Sequence, residues 1–186
     1  METIIILVLI VVVGGVIAMY YNRLVRLRNT AESSWSDIDV QLKKRYNLVP
    51  NLVDTVKAYA KHEKEVFTRV TEARNAAMQA GSPDEAGPKE NMFKETLKSL
   101  FAVAEAYPEL KANDNFLRLQ GQFQELENNI EAARRYYNAV VRDYNTMTES
   151  LPSNIIASIF GFKRKDYFEL ESPEERKPVR GDFSDM

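Results

Sequence analysis

The sequence contains no cysteine and a single histidine, His62. Disulfides, thiolate metal sites, cysteine nucleophiles and multi-histidine centres within one chain are therefore excluded, and with them much catalytic chemistry. Neither charge sign dominates: 25 basic against 27 acidic residues leave a formal net charge of −2, which argues against a general nucleic-acid binder. Glycine and proline number only seven each in 186 residues, so long helices meet few interruptions.

What the chain does have begins at its amino end. From Ile4 through Met19 every residue is apolar or glycine, and Thr3, Tyr20 and Tyr21 extend the uncharged run to residues 3–21. As a helix this run measures about 28 Å, enough to cross hydrocarbon. The alternative, a cleaved secretory signal, is disfavoured because no positive region precedes the run and no small-x-small site closes it. A lipoprotein signal would need a cysteine. Tyr20 and Tyr21 suit the water interface, and Arg23, Arg26 and Arg28 follow at once, whereas the leading side offers only the α-amino group and Glu2. Basic residues stay in the cytoplasm, so the bias predicts a single-pass protein of the cell membrane with its amino end outside and its body cytoplasmic.

Beyond the span the pattern is helical throughout. Leu24, Ala31, Trp35, Ile38, Leu42, Tyr46 and Val49 recur mostly at steps of three and four and form one apolar stripe. Pro50 is expected to end this helix or begin the next. Val53, Val56, Ala60, Phe67, Val70, Ala73 and Ala77 line a return helix that stops at a loop holding Gly81, Pro83, Gly87 and Pro88. Phe93, Leu97, Leu100 and Ala104 mark a third helix, broken by Pro108. The fourth is the clearest: Phe116, Leu119, Phe123, Leu126, Ile130, Ala133, Tyr137, Val140, Tyr144 and Met147 alternate steps of three and four in a heptad seam that has to be covered by partner helices. Gly121 is a weak point in it, by about 1 kcal/mol relative to alanine.

The expected fold is all-α: an N-terminal transmembrane helix (1–21) running into a long antiparallel bundle of three to four helices (22–150; helices about 22–49, 51–79, 89–107 and 114–148). A short C-terminal amphipathic helix and a charged, extended tail occupy 151–186. Within 151–165, Ile156, Ile159, Phe160 and Phe162 precede Lys163, an apolar segment with a basic edge. It either lies at the lipid surface or folds back as a fifth short helix.

Chemistry finds little purchase. His62 stands beside Glu63 and Glu65, but a zinc-protease helix needs a second histidine four positions on, and Val66 is there. A surface position near a helix junction is the plainer role. Asp37, Asp39, Glu125, Glu127 and Glu131 read as solvated helix faces carrying i to i+4 ion pairs. Lys43, Lys44, Arg45, Asn47 and Asn51, around the turn expected at Pro50, form the most functional-looking cluster. Either they cap a helix end, cations complementing its dipole, or they present a partner surface. No catalytic residue, cofactor, metal or small-molecule substrate is indicated. The expected partners are the bilayer through residues 3–21 and other membrane proteins or a second copy of the chain.

Trp35 followed by Ile38-Asp39-Val40-Gln41-Leu42-Lys43-Lys44-Arg45-Tyr46-Asn47-Leu48-Val49-Pro50-Asn51-Leu52-Val53 closely resembles the signature of the bacterial LemA family. Val56, Tyr59, Ala60 and His62-Glu63 are similar to its second helix, and Tyr107-Pro108-Glu109-Leu110-Lys111-Ala112 to its next turn. Glu127-Asn128, Ile130, Ala133-Arg134, Tyr137-Asn138 and Tyr144-Asn145 resemble its fourth helix, and Phe160 and Tyr167-Phe168 its tail. Gly121 and Asn129 depart from the pattern. The resemblance implies one amino-terminal span, an antiparallel bundle and no assigned catalytic activity, and the similarity of some relatives to proteins needed for making magnetosome membranes points toward membrane organisation. Two functions are consistent with it: a membrane-anchored scaffold or adaptor, and an accessory regulator of a membrane protease or sensor kinase.

Overall fold

The computed structural model describes residues 1–169; the tail beyond, expected to be extended, lies outside the described residues. Six helices follow in order: α1 (Glu2–Lys57), α2 (Lys64–Met78), α3 (Pro83–Glu105), α4 (Pro108–Lys111), α5 (Asp114–Glu149) and α6 (Ser153–Ile159). No strand occurs among the described residues. The all-α expectation and the long apolar leading helix are observed. The described chain divides into two compact units, one of residues 1–48 and 118–168, the other of residues 49–117 with Glu169.

In the first unit α1 and α5 run antiparallel. Arg45 pairs with Glu127, Trp35 lies against Tyr137, and Leu24 packs with Tyr144 and Met147, so numbering rises on one helix as it falls on the other. The seam read from the sequence of α5 is its inward face: Leu119, Phe123, Ile130, Tyr137, Val140, Tyr144 and Met147 are buried, and Leu126 and Ala133 half-buried. On α1, Leu24, Ala31, Ile38, Leu42 and Tyr46 are buried and Trp35 half-buried.

The second unit contains the last turns of α1, then α2, α3, α4 and the first turn of α5. Phe67, Val70, Ala73 and Ala77 of α2 and Phe93, Leu97, Leu100 and Ala104 of α3 are buried, and the two helices pack against each other. Leu110 fills the interior from the single turn of α4. Asn113 caps α5, its Oδ1 accepting the amide of Phe116 at 3.1 Å, while its Nδ2 donates to the Tyr59 hydroxyl at 3.1 Å. One side chain thus starts a helix and ties it to the turn after α1.

Two boundaries differ from expectation. α1 does not end at Pro50 but continues to Lys57, the reversal occupies residues 58–63, and the return helix starts at Lys64 rather than at 51, so Val53 and Val56 belong to α1 and Ala60 to the turn. Pro50 has no N–H for the Tyr46 carbonyl, and a proline inside a helix costs about 3 kcal/mol. Val49, Leu52, Val53 and Val56 are nevertheless all buried, at about 1.5–3 kcal/mol each, so burial outweighs the defect. The in-phase spacing of these residues already carried this information. The second difference is α3, which starts at Pro83 rather than after Pro88. Ser82 occupies the N-cap position in extended geometry, Pro83 needs no donor at the first position, and Asp84 and Glu85 complement the helix dipole. The Ser82 side chain holds the Asp84 carboxyl below its ordinary range, and Glu85 Oε2 accepts the Gly81 amide at 3.1 Å.

The glycines of α3 and α5 behave oppositely. A Cβ on Gly87 would lie inside van der Waals contact of the Glu169 backbone carbonyl, whereas one on Gly121 would meet nothing within 4 Å. Gly121→Ala is expected to raise stability by about 0.5–1 kcal/mol. Gly87→Ala is expected to lower it by about 1–3 kcal/mol, because backbone cannot yield as a flexible side chain can. Paired thermal melts of the two variants check both signs.

Candidate functional site

The apolar start of α1 is long enough and apolar enough to cross a membrane, and none of that stretch is buried in the fold. At its end Tyr20 is half-buried and packs against the cluster of Leu24, Tyr144, Met147, Ile156 and Ala157. Tyr21 faces outward and meets Phe160 and Phe162, with ring centroids 4.8 and 5.7 Å apart. Arg23, Arg26 and Arg28 are exposed, and the Arg28 guanidinium lies 5.3 Å from the Phe162 ring centroid, a cation–π contact.

The five residues read as a possible lipid contact do not act alike. Ile156 is a correction: it is 6% exposed and belongs to the core cluster, because α6 turns Ser153, Ile156 and Ala157 inward. Phe162 is half-buried on the same cluster. Ile159, Phe160 and Lys163 face outward, joined by Leu151 and Ile155. Folding back and presenting an apolar surface are two faces of one short helix.

After α6 the chain runs back along α5 as an extended strap, residues 163–168, held by two tyrosine–asparagine pairs one heptad apart. The Tyr144 hydroxyl donates to the Lys163 carbonyl at 2.9 Å, and the Asn145 side chain both donates to the Lys165 carbonyl and accepts its amide, each at 2.9 Å. One heptad back, the Tyr137 hydroxyl donates to the Asp166 carbonyl at 2.8 Å. Asn138 donates to the Phe168 carbonyl at 3.1 Å and accepts its amide at 2.9 Å. Each carboxamide thereby satisfies a donor and an acceptor of a backbone that has no sheet to join. Phe168 ends the strap fully buried, edge-on to Trp35 at 5.4 Å. Lys165 reaches Glu32 at 3.2 Å and Arg164 reaches Glu149 at 3.1 Å. Sequence reasoning missed this strap. Its trace was the repeat Tyr137-Asn138 and Tyr144-Asn145.

The cluster around Lys43 also divides. Arg45 is a second correction, since it is 2% exposed and ion-paired with Glu127 inside the first unit. Glu127 is accordingly an interhelical counter-charge rather than a solvated face. Lys43, Lys44, Asn47 and Asn51 are exposed, and Lys43 pairs with Asp39 one turn back. Capping is excluded as their role, because α1 continues beyond them to Lys57. His62 is exposed in the turn between α1 and α2. Among the described residues no group of three His, Cys, Asp or Glu could hold a metal ion.

Burial pushes the Tyr46 phenol up to about 12, with Arg45 pulling it down and Asp39 adding to the rise. A phenol whose folded value exceeds its unfolded value near 10 contributes stability fully present below pH 10 and lost as pH rises toward 12. Tyr46→Phe is expected to flatten that alkaline limb, as followed by unfolding at stepped pH.

An exposed apolar span continuous with packed antiparallel helices defines a membrane-associated helical-bundle protein. The sequence model of the LemA family matches residues 34–183, and the chain belongs to that family. Magnetosome protein MamQ 2 of Paramagnetospirillum magneticum is 27% identical over 187 residues, covering 87% of this chain and 68% of its own length. Magnetosome protein MamQ of Magnetospirillum gryphiswaldense is 26% identical over 187 residues with the same coverage, 87% and 68%. Protein LemA of Metamycoplasma hominis is 26% identical over 140 residues, 73% of this chain and 63% of its own length. None of these names denotes an enzyme. The span and this kinship together support a membrane location.

Proposed function

We propose that the protein is a single-pass membrane scaffold or adaptor, its amino end outside and its body cytoplasmic, acting through self-association or by docking other membrane proteins. The observation that carries this reading is the continuity of α1. One uninterrupted helix takes an exposed apolar span into a packed unit, so whatever binds the body is held at a set distance from the bilayer. The same continuity favours a retained anchor over a cleaved signal, because Tyr20 at the end of the span packs against the core cluster that Leu24 joins one turn on. The basic residues after the span favour the orientation. Lys43, Lys44 and Asn47 supply an exposed polar face of the first unit for a partner.

Crosslinking in cells from position 44, with size measurement in detergent, tests the reading. A defined homo-oligomer, or capture of several membrane proteins, supports scaffolding. A monomer crosslinked to one enzyme in fixed stoichiometry would replace it with an accessory regulator. Digestion of a carboxy-terminal tag in right-side-out spheroplasts would reverse the topology, and protection is expected.

A further inference from the structure

We infer that the outward face of α6 and its flanking residues forms a second membrane contact, a collar resting among the anionic headgroups of the bilayer that α1 crosses. The inference builds on the membrane-anchored reading above and adds a place, a face and a lipid class to it.

Depth comes first. Residues 3–21 are uncharged and end at Tyr20 and Tyr21, the residue type that settles where hydrocarbon meets headgroups. Tyr21 contacts Phe160 and Phe162 directly, and Tyr20 packs on the cluster that holds Ile156. α6 is therefore fastened to α1 at the level where the span leaves the hydrocarbon, not somewhere along the body. The second observation is exposure. Leu151 is 77%, Ile155 54%, Ile159 72% and Phe160 51% exposed, while the opposite face of the same helix is buried. Four large apolar side chains gathered at one end of a unit form a contiguous patch that water disfavours and an interfacial layer accepts.

Charge chooses the lipid. No acidic residue occurs from Val16 to Ala31 or from Ser150 to Lys165. Around the patch stand exposed Arg23, Arg26, Arg28, Lys163 and Arg164. Glu149 pairs with Arg164 and Glu32 with Lys165, and the next acidic residue along the chain is the exposed Asp166. An apolar wedge rimmed by cations matches a surface of anionic phospholipid, each basic side chain shifting the balance toward the surface roughly fivefold. A span alone leaves the body free to rotate and tilt, whereas a second contact beside it sets which face the body turns to the bilayer.

The absence of native cysteine allows single labels on the full chain. A fluorophore is placed through Val12→Cys in the span, Ile159→Cys on α6 or Asp37→Cys on the exposed side of α1. Each protein is reconstituted in phosphatidylcholine vesicles with or without phosphatidylglycerol, carrying lipid-borne quenchers at mid-chain or near the headgroup. The expected result is deep quenching at 12, shallow quenching at 159 that strengthens with phosphatidylglycerol, and none at 37. Lys163→Gln combined with Arg26→Gln is expected to weaken the strengthening while leaving position 12 unchanged. Quenching at 12 with position 159 as silent as 37 overturns the collar and leaves the anchor standing. So does crosslinking of Ile159→Cys between two copies in place of quenching, which would assign the patch to a second chain. A silent position 12 overturns the anchor itself.

Discussion

Phe168→Ala is expected to lower the stability of the body by about 3–5 kcal/mol, the usual loss when a fully buried phenylalanine is truncated. Phe168 is 0% exposed although it stands almost at the end of the described chain, and its ring meets the chain's only tryptophan edge-on. Loss of the ring removes the apolar stop that keeps the strap in register over Asn138 and Asn145. Faster amide exchange at Lys165 and Phe168 should therefore accompany the lower stability, together with a red shift of Trp35 emission. Phe168→Leu keeps most of the volume and is expected to cost less than about 1.5 kcal/mol. Unchanged melting and emission in Phe168→Ala would mean that the strap is an ornament on α5 and not part of the core.

The second large effect is expected at the ion pair between α1 and α5. Glu127→Ala takes one ion-pair partner from a guanidinium whose side chain is 3% exposed, and the penalty is about 3 kcal/mol because the cation stays in a poorly solvated place. Arg45→Met leaves Glu127, a third exposed, with access to water and is expected to cost less. The double variant Arg45→Met with Glu127→Leu is expected to recover most of the stability, since apolar pairs of similar volume substitute well for buried ion pairs. Denaturation of the four proteins in one detergent closes the cycle. A double variant no better than Glu127→Ala alone would show that the pair is held for reasons beyond its charges, such as the register of α1 on α5.

How much of this was legible in the residues depends on what each contact is made of. The seam of α5 and the stripe of α1 announced themselves because helix-on-helix burial repeats every three and four residues, and the repeat survives whatever lies opposite. The stripe also stays in phase across Pro50, and the burial of Val49, Leu52, Val53 and Val56 outweighs the local preference of proline for a helix end. Arg45 is less legible. The third of three consecutive cations between Leu42 and Tyr46 looks the same in sequence whether it reaches solvent or a carboxylate 82 residues away. The strap left the faintest trace, because side-chain amides bonded to extended backbone impose no period on the residues they hold. Only the holders, Tyr137-Asn138 and Tyr144-Asn145, repeat.

Membership of the helical class, the apolar run able to enter a bilayer and the inward faces of the long helices were encoded locally, in composition and period, and reading along the chain recovers them. Which cation is buried, which isoleucine of α6 faces inward and where the strap lies depend on pairings between residues far apart in sequence. Those pairings are selected by shape and charge only when the surfaces meet. The division is one of range: periodicity reports what a segment needs to hide, and packing alone reports what it hides against.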